Sequence, residues 1–210
     1  AALAHDLKTP LTIIQGNAEL LAETAPAPEL DAILRAGDRA QQYLAALRSV
    51  GTVPAARQRT DSHAFVAALA DTANALCRPA KLHFVLQEQW QGQFLCAAPE
   101  LSRALENMLD NAVRYTPAGG TVTLTISKAD GDVSFTVTDT GPGFTPEALH
   151  KAGQFLYTDA ARPGNGHQGL GLYLARSVAR AHGGNLIVSN DPAAHGACAE
   201  LRLPICANAL

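Results

Sequence analysis

Over the first fifty residues the apolar side chains recur every three or four positions, in two separate runs, and that spacing dictates helix. Leu7, Leu11, Ile14, Ala18 and Leu21 form one run; Leu30, Ile33, Gly37, Ala40, Leu44 and Leu47 form the other. Both are heptad-like seams. Thr24 to Pro28, with two prolines, separates them. Two such helices make a hairpin too thin to bury a seam alone. Either two chains join their hairpins into a four-helix bundle, or the hairpin packs on the rest of its own chain.

Gly51 to Arg59, with Gly51, Pro54, Arg57 and Arg59, suits a linker. Beyond it the hydrophobic period switches repeatedly. His63–Cys77 is alanine-rich and helical. Leu82–Leu86 and Gln93–Cys96 have the look of strands. Pro99–Tyr115 is a helix, with Pro99 in its first turn and Glu100 near its positive end. Thr121–Ser127 and Val133–Asp139 alternate as strands, joined by the hairpin turn Ala129-Asp130-Gly131-Asp132. Gly169–His182 is a helix closed by Gly183-Gly184. Asn185–Ser189 and Ala197–Leu203 form a last hairpin. The order predicts an α+β fold with helices on one face of a mixed sheet.

The chain has 210 residues and is 47% hydrophobic, which is compatible with a packed core, although alanine fills 40 positions. A net charge of -3 argues against sequence-independent nucleic-acid binding. No apolar run reaches the ~18–20 residues of a membrane span, and no basic n-region of a signal peptide precedes the apolar residues. Cys77, Cys96, Cys198 and Cys206 are scattered, without C-x-x-C, and read as reduced core thiols of a cytoplasmic protein, with a disulfide pair the less favoured alternative.

Seven of the 17 glycines lie between Gly141 and Gly171. Asp139-Thr140-Gly141-Pro142-Gly143 follows a strand; Gly169-Leu170-Gly171 opens a helix. A glycine-rich approach to a helix N-terminus offers backbone N–H groups to an anion. Each pair alone is weak, because loop glycines usually serve turns. The helix before these strands carries Glu106, Asn107, Asp110, Asn111 and Arg114. Asn107, Asn111 and Arg114 share one face, opposite Leu105, Met108, Leu109 and Ala112. An amide face suits Mg²⁺, which prefers oxygen and keeps waters; a plain solvated face is the alternative.

Four segments occur in order: Ala4-His5-Asp6-Leu7-Lys8-Thr9-Pro10-Leu11, Asn107-x-x-x-Asn111, Asp139-x-Gly141-x-Gly143 and Gly169-x-Gly171. Together they resemble the H, N, G1 and G2 boxes of the cytoplasmic core of bacterial two-component sensor histidine kinases. The string after His5, through Thr12-Ile13-Ile14 and Gly16-Asn17, is similar to members that sense cell-envelope antibiotics. The resemblance implies a dimerisation and phosphotransfer hairpin over 1–50, a linker over 51–59 and a Bergerat-type ATP-binding α/β sandwich over 60–210. It implies an ATP-dependent protein-histidine kinase, acting as a homodimer with ATP and Mg²⁺. Phosphate then passes to an aspartate on a response regulator receiver domain.

The resemblance also distributes roles. His5, which its helix phase turns away from the seam, is the nucleophile. Asp6 orients and stabilises its ring, and Thr9 orients water for dephosphorylating the regulator. Asp139 holds the adenine amino group and Tyr115 packs on the ring. Asn107 and Asn111 face Mg²⁺ and phosphates, with Asn111 the metal ligand. Arg114 and Arg162 are phosphate-facing bases. Gly141, Gly143, Gly169, Leu170 and Gly171 approach the nucleotide through backbone. The lid departs from the pattern: Ala152 stands at an aromatic position, Tyr157 near a basic one, and His167-Gln168 where a glycine and a hydroxyl are common. These departures allow a weak or phosphatase-biased kinase. The alternatives are a conformational ATPase of the same nucleotide fold and a degenerate signalling scaffold. Family members are usually membrane-anchored, so the expected chain is a fragment, attached to the membrane only through N-terminal segments absent here.

Overall fold

The computed structural model describes residues 11–21, 30, 33–34, 37, 40, 56–154, 157, 170–191 and 196–205. The chain divides into two compact units, 1–53 and 54–210.

In the first unit residues 11–21 are helical, as are 30, 33, 34, 37 and 40. A Cβ on Gly37 would lie 2.5 Å from Cγ of Gln15, so the two segments meet where one has no side chain. Gln15 and Ala18 are buried there. The expected seam is split: Ala18 is inside, but Ile14 and Leu21 are 51% and 54% exposed, beside exposed Ile13 and Leu20. The reason is width, since one neighbouring helix covers only a narrow strip.

In the second unit, β1 (Gln58–Asp61) pairs antiparallel with β3 (Gln93–Cys96) as a separate two-stranded sheet. Gln58 and Arg59 are therefore strand, although their polarity suggested linker. Helix α1 (Ser62–Cys77) follows, its N-cap Asp61 accepting from the N–H of Ala64 at 2.9 Å. The remaining strands are β2 (His83–Glu88), β4 (Thr121–Ala129), β5 (Asp132–Asp139), β6 (Asn185–Asn190) and β7 (Ala197–Pro204). They form one sheet in the order β2-β4-β5-β7-β6. Only β2 and β4 are parallel; the other pairs are antiparallel. The sheet is mixed, as expected. The turn between β4 and β5 pairs Ala129 with Asp132, and Asp130 and Gly131 take φ of 54° and 86°. Two positive φ values in a two-residue loop are what the strand twist requires.

Strand alternation decides which face is covered. Val122, Leu124, Ile126, Val133, Phe135, Val137, Leu201 and Leu203 are buried, while Thr123, Thr125, Thr136 and Thr138 between them are half-exposed. Helices α1, α2 (Ala98–Tyr115) and α4 (Gly171–Ala181) cover the buried face. At its centre the rings of Phe65, Phe94 and Phe135 sit with centroids 5.5–5.9 Å apart. A short helix, α3 (Pro146–Lys151), was not anticipated; Thr145 caps it. Cys77 and Cys96 are buried free thiols and Cys198 is a half-buried one. No helix among the described residues is long and apolar enough to cross a membrane.

Candidate nucleotide site

Helix α2 carries one end of the site. Its apolar side, Leu101, Leu105, Met108, Leu109 and Ala112, is buried against the sheet. Glu106, Asn107, Asp110, Asn111, Arg114 and Tyr115 are left half-buried along the other side. This is the division the 3.6-residue period dictates. Arg114 reaches Asp110, one turn back, at 3.5 Å. The Nδ2 of Asn107 is buried with no hydrogen-bond partner, a costly state for an amide.

Two contacts place glycines against this helix. A Cβ on Gly141 would lie 2.6 Å from the carbonyl oxygen of Tyr115, so only glycine lets the loop after β5 come that close. Gly171, first residue of α4, lies with its Cβ position 3.7 Å from the Cβ and carbonyl oxygen of Asn107. The N-cap of α4 is Leu170, which is buried and supplies no side-chain cap, and the first turn holds no acid. A helix N-terminus of this kind, beside Asn107, carries the positive end of the helix dipole, which favours an anion. Tyr115 and Asn107 are eight residues apart, about 12 Å along the helix. The strip between them is bounded by Gly141 at one end and Gly171 at the other.

Asp139, last residue of β5, is 5% exposed. Its Oδ1 accepts from the N–H of Gly141 at 2.8 Å and from the N–H of Ala197 at 3.2 Å. The second donor comes from β7, and Gly196 before it packs so tightly on the backbone of Asp139 that any Cβ would overlap it. Gly143 is buried, at φ 70°. Asn190, ending β6, holds the same loop: it accepts from the N–H of Phe144 at 2.6 Å and donates to its carbonyl at 2.9 Å.

The structure therefore brings together Tyr115, Asp139 and Gly141, and separately Asn107 and Gly171. Asn111 lies on α2 one turn beyond Asn107. His5, Asp6, Thr9, Arg162 and Gly169 lie outside the described residues. Gly196, Ala197 and Asn190 were not anticipated as supports of the site; an asparagine at a strand end was the only local signal. In the lid, Ala152 is buried and Gly153 turns the chain at φ 76° against the guanidinium of Arg176. Tyr157 has a base beside it after all: Nζ of Lys151 is 6.0 Å from its ring centroid.

Comparison with known proteins matches this arrangement. The model of the histidine kinase-, DNA gyrase B- and HSP90-like ATPases covers residues 96–206. The model of the His kinase A (phospho-acceptor) domain covers residues 1–53. Sensor histidine kinase SpaK of Bacillus subtilis is 34% identical over 97% of this chain and 46% of its own length. Sensor protein CreC of Escherichia coli is 33% identical over 96% and 44%. Full-length ShkA, solved in complex with AMPPNP, superposes with a TM-score of 0.80 at 26% identity, over 100% of this chain and 46% of that one. The chain thus spans about half the length of the curated relatives it matches. A phospho-acceptor segment and an ATPase segment follow one another on a single chain whose second unit has a mixed α/β fold and a glycine-bounded polar strip, and the chain belongs to the sensor histidine kinases.

Proposed function

We propose that the chain is the kinase core of a sensor protein: it transfers the γ-phosphoryl group of ATP to His5 and then to an aspartate on a response regulator receiver domain. The observation that carries this is the sequence of the two family matches, with His5 inside the first and the Asp139–Gly141 and Asn107–Gly171 contacts inside the second. In this reading residues 1–50 form the dimerisation and phosphotransfer hairpin, 51–57 the connection and 58–210 the catalytic domain, which begins with β1. Exposed Ile13, Ile14, Leu20 and Leu21 support a homodimer, because a second hairpin would bury them.

At the adenine end, Asp139 accepts a hydrogen bond from the exocyclic amine. Its two backbone donors stabilise the ionised acceptor and fix its direction. Tyr115 flanks the ring. At the other end, the N-terminus of α4, with Gly169, Leu170 and Gly171, faces the phosphates. Arg114 and Arg162 add positive charge. The donor set fits Mg²⁺. The amide oxygens of Asn107 and Asn111, on one side of α2, are hard donors of the kind Mg²⁺ prefers, and two such groups leave room for water and phosphate ligands. Asn111 would hold the ion, whose charge neutralises the triphosphate when bound.

A neutral ring nitrogen of His5 attacks the γ-phosphorus, the bond to the β-phosphate oxygen breaks, and ADP leaves. Asp6 takes the hydrogen bond of the other ring nitrogen and stabilises the imidazolium that forms. Thr9, four residues on in the sequence, orients water when the regulator is dephosphorylated.

The test uses radiolabelled ATP and Mg²⁺. The expected product is an acid-labile, base-stable label that His5→Ala abolishes. Nucleotide binding with no label at His5 would overturn the reading.

A further inference from the structure

Helices α2 and α4 pack along one another through their apolar faces, and two further contacts mark the ends of that packing. One is the contact of Gly171 with Asn107. The other is at the opposite end of α4, where His182 stands as its C-cap, 3% exposed. The N–H of Ala97, the N-cap of α2, donates to Nε2 of His182 at 3.0 Å. Nδ1 of the same ring lies 2.8 Å from the carbonyl oxygen of Val178. The partners fix the tautomer: a carbonyl only accepts, so Nδ1 carries the proton, and an amide only donates, so Nε2 is bare. Ala97 to Asn107 is ten residues and Gly171 to His182 eleven, about 15 Å and about 16 Å of helix. The two contacts therefore close a frame, with His182–Ala97 at one end and the nucleotide site at the other.

The sequence also offers a different cap for Ala97. Glu100 stands at the third helical position, from which a glutamate ordinarily reaches back to the N–H of the N-cap. Here His182 holds that N–H, and Oε2 of Glu100 is buried with no hydrogen-bond partner. The charged groups bearing on His182 are Glu100, from α2, and Arg57, whose guanidinium donates to the carbonyl of Ala181 at the end of α4.

We propose that His182 is a positioning residue for the nucleotide site: its neutral ring sets the register of α2 against α4, and a proton on Nε2 loosens that register and weakens nucleotide binding. Protonation turns the bond to Ala97 into a contact between two donors. Glu100, at the position from which a glutamate caps the Ala97 N–H and bearing on His182 through its charge, is the acceptor assigned to the protonated form, which makes the change reversible. Burial lowers the pKa of His182 below its ordinary 6.5, with Arg57 acting in the same direction and the Val178 bond and Glu100 against it. The transition belongs on the acid side. The inference rests on the reading of Asn107 and Gly171 as the phosphate end.

The experiment is calorimetric binding of AMPPNP with Mg²⁺ between pH 8 and pH 5, for wild type, His182→Gln and His182→Leu. A glutamine amide supplies one acceptor and one donor and does not titrate. The affinity ratio of wild type to His182→Gln cancels the nucleotide's own titration. It should fall about tenfold towards pH 5, the worth of one buried hydrogen bond. His182→Leu should bind weakly throughout. A ratio constant with pH overturns the proposal. Absence of binding by wild type at pH 8 overturns the underlying site reading instead. Imidazole nitrogen shifts of wild type, which need no variant, should show an Nδ1–H tautomer at pH 7 and a transition coincident with the affinity loss. A ring already charged at pH 7 would also refute the proposal.

Discussion

Asp139 shows how much a single carboxylate can be committed before any ligand arrives. Its Oδ1 accepts two backbone N–H groups from opposite sides of the loop, Gly141 and Ala197. Asp139→Asn keeps the volume and removes the charge, and should lower AMPPNP affinity at least about tenfold while the melting temperature changes little by comparison. Calorimetry beside a melting curve checks both; unchanged affinity would move the adenine elsewhere. Gly153 makes a different prediction. It sits at φ 76°, and an added Cβ would lie 3.0 Å from Nε of Arg176. Gly153→Ala should cost about 1–3 kcal/mol by chemical denaturation, and a cost near zero would mean that the turn rearranges freely. The Asp139-x-Gly141-x-Gly143 string was readable in the sequence because it is local. The donor from Ala197 was not, because it lies 58 residues away and uses backbone, which leaves no mark on residue type.

Among the elements, those with a strong period of their own were legible. Helix α2 declares itself through Leu101, Leu105, Met108, Leu109 and Ala112, and the β4–β5 hairpin through alternation around Asp130-Gly131. Strand β1 was not, since Gln-Arg-Thr-Asp has no apolar alternation and its pairing partner begins 32 residues after it ends. The link between α2 and α4 was equally hidden: Ala97 and His182 are 85 residues apart. That link carries a stability prediction. The native pKa of His182 lies below its free value, so the unfolded chain takes up the proton first. Its stabilising effect should be complete above about pH 6.5 and decline as pH falls through the lowered native value. His63, held above its ordinary value by its hydrogen bond to Glu88, works in the other direction but is exposed, present in both proteins, and serves as a control. Urea titrations of wild type and His182→Gln between pH 8 and pH 5 should diverge only on the acid side.

For the whole molecule, the two units predict separable losses. Ile14 and Leu21 are exposed in the first unit and the nucleotide strip lies in the second. The double substitution Ile14→Glu, Leu21→Glu should shift the protein from dimer to monomer in sedimentation while AMPPNP affinity stays within about twofold of wild type, the span of ordinary surface substitutions. A persistent dimer would place the interface on another face. The position of β7 has a further consequence. It is the last strand among the described residues, yet it lies inside the sheet, between β5 and β6, and its first residue completes the setting of Asp139. A ribosome releasing this domain must have delivered nearly all of it before β5 loses its bare edge. Until then that edge is open to pairing with another nascent chain, and ATP in the cell has no finished site to occupy. Cellular nucleotide therefore cannot guide the early stages of folding; it can only reward the completed molecule.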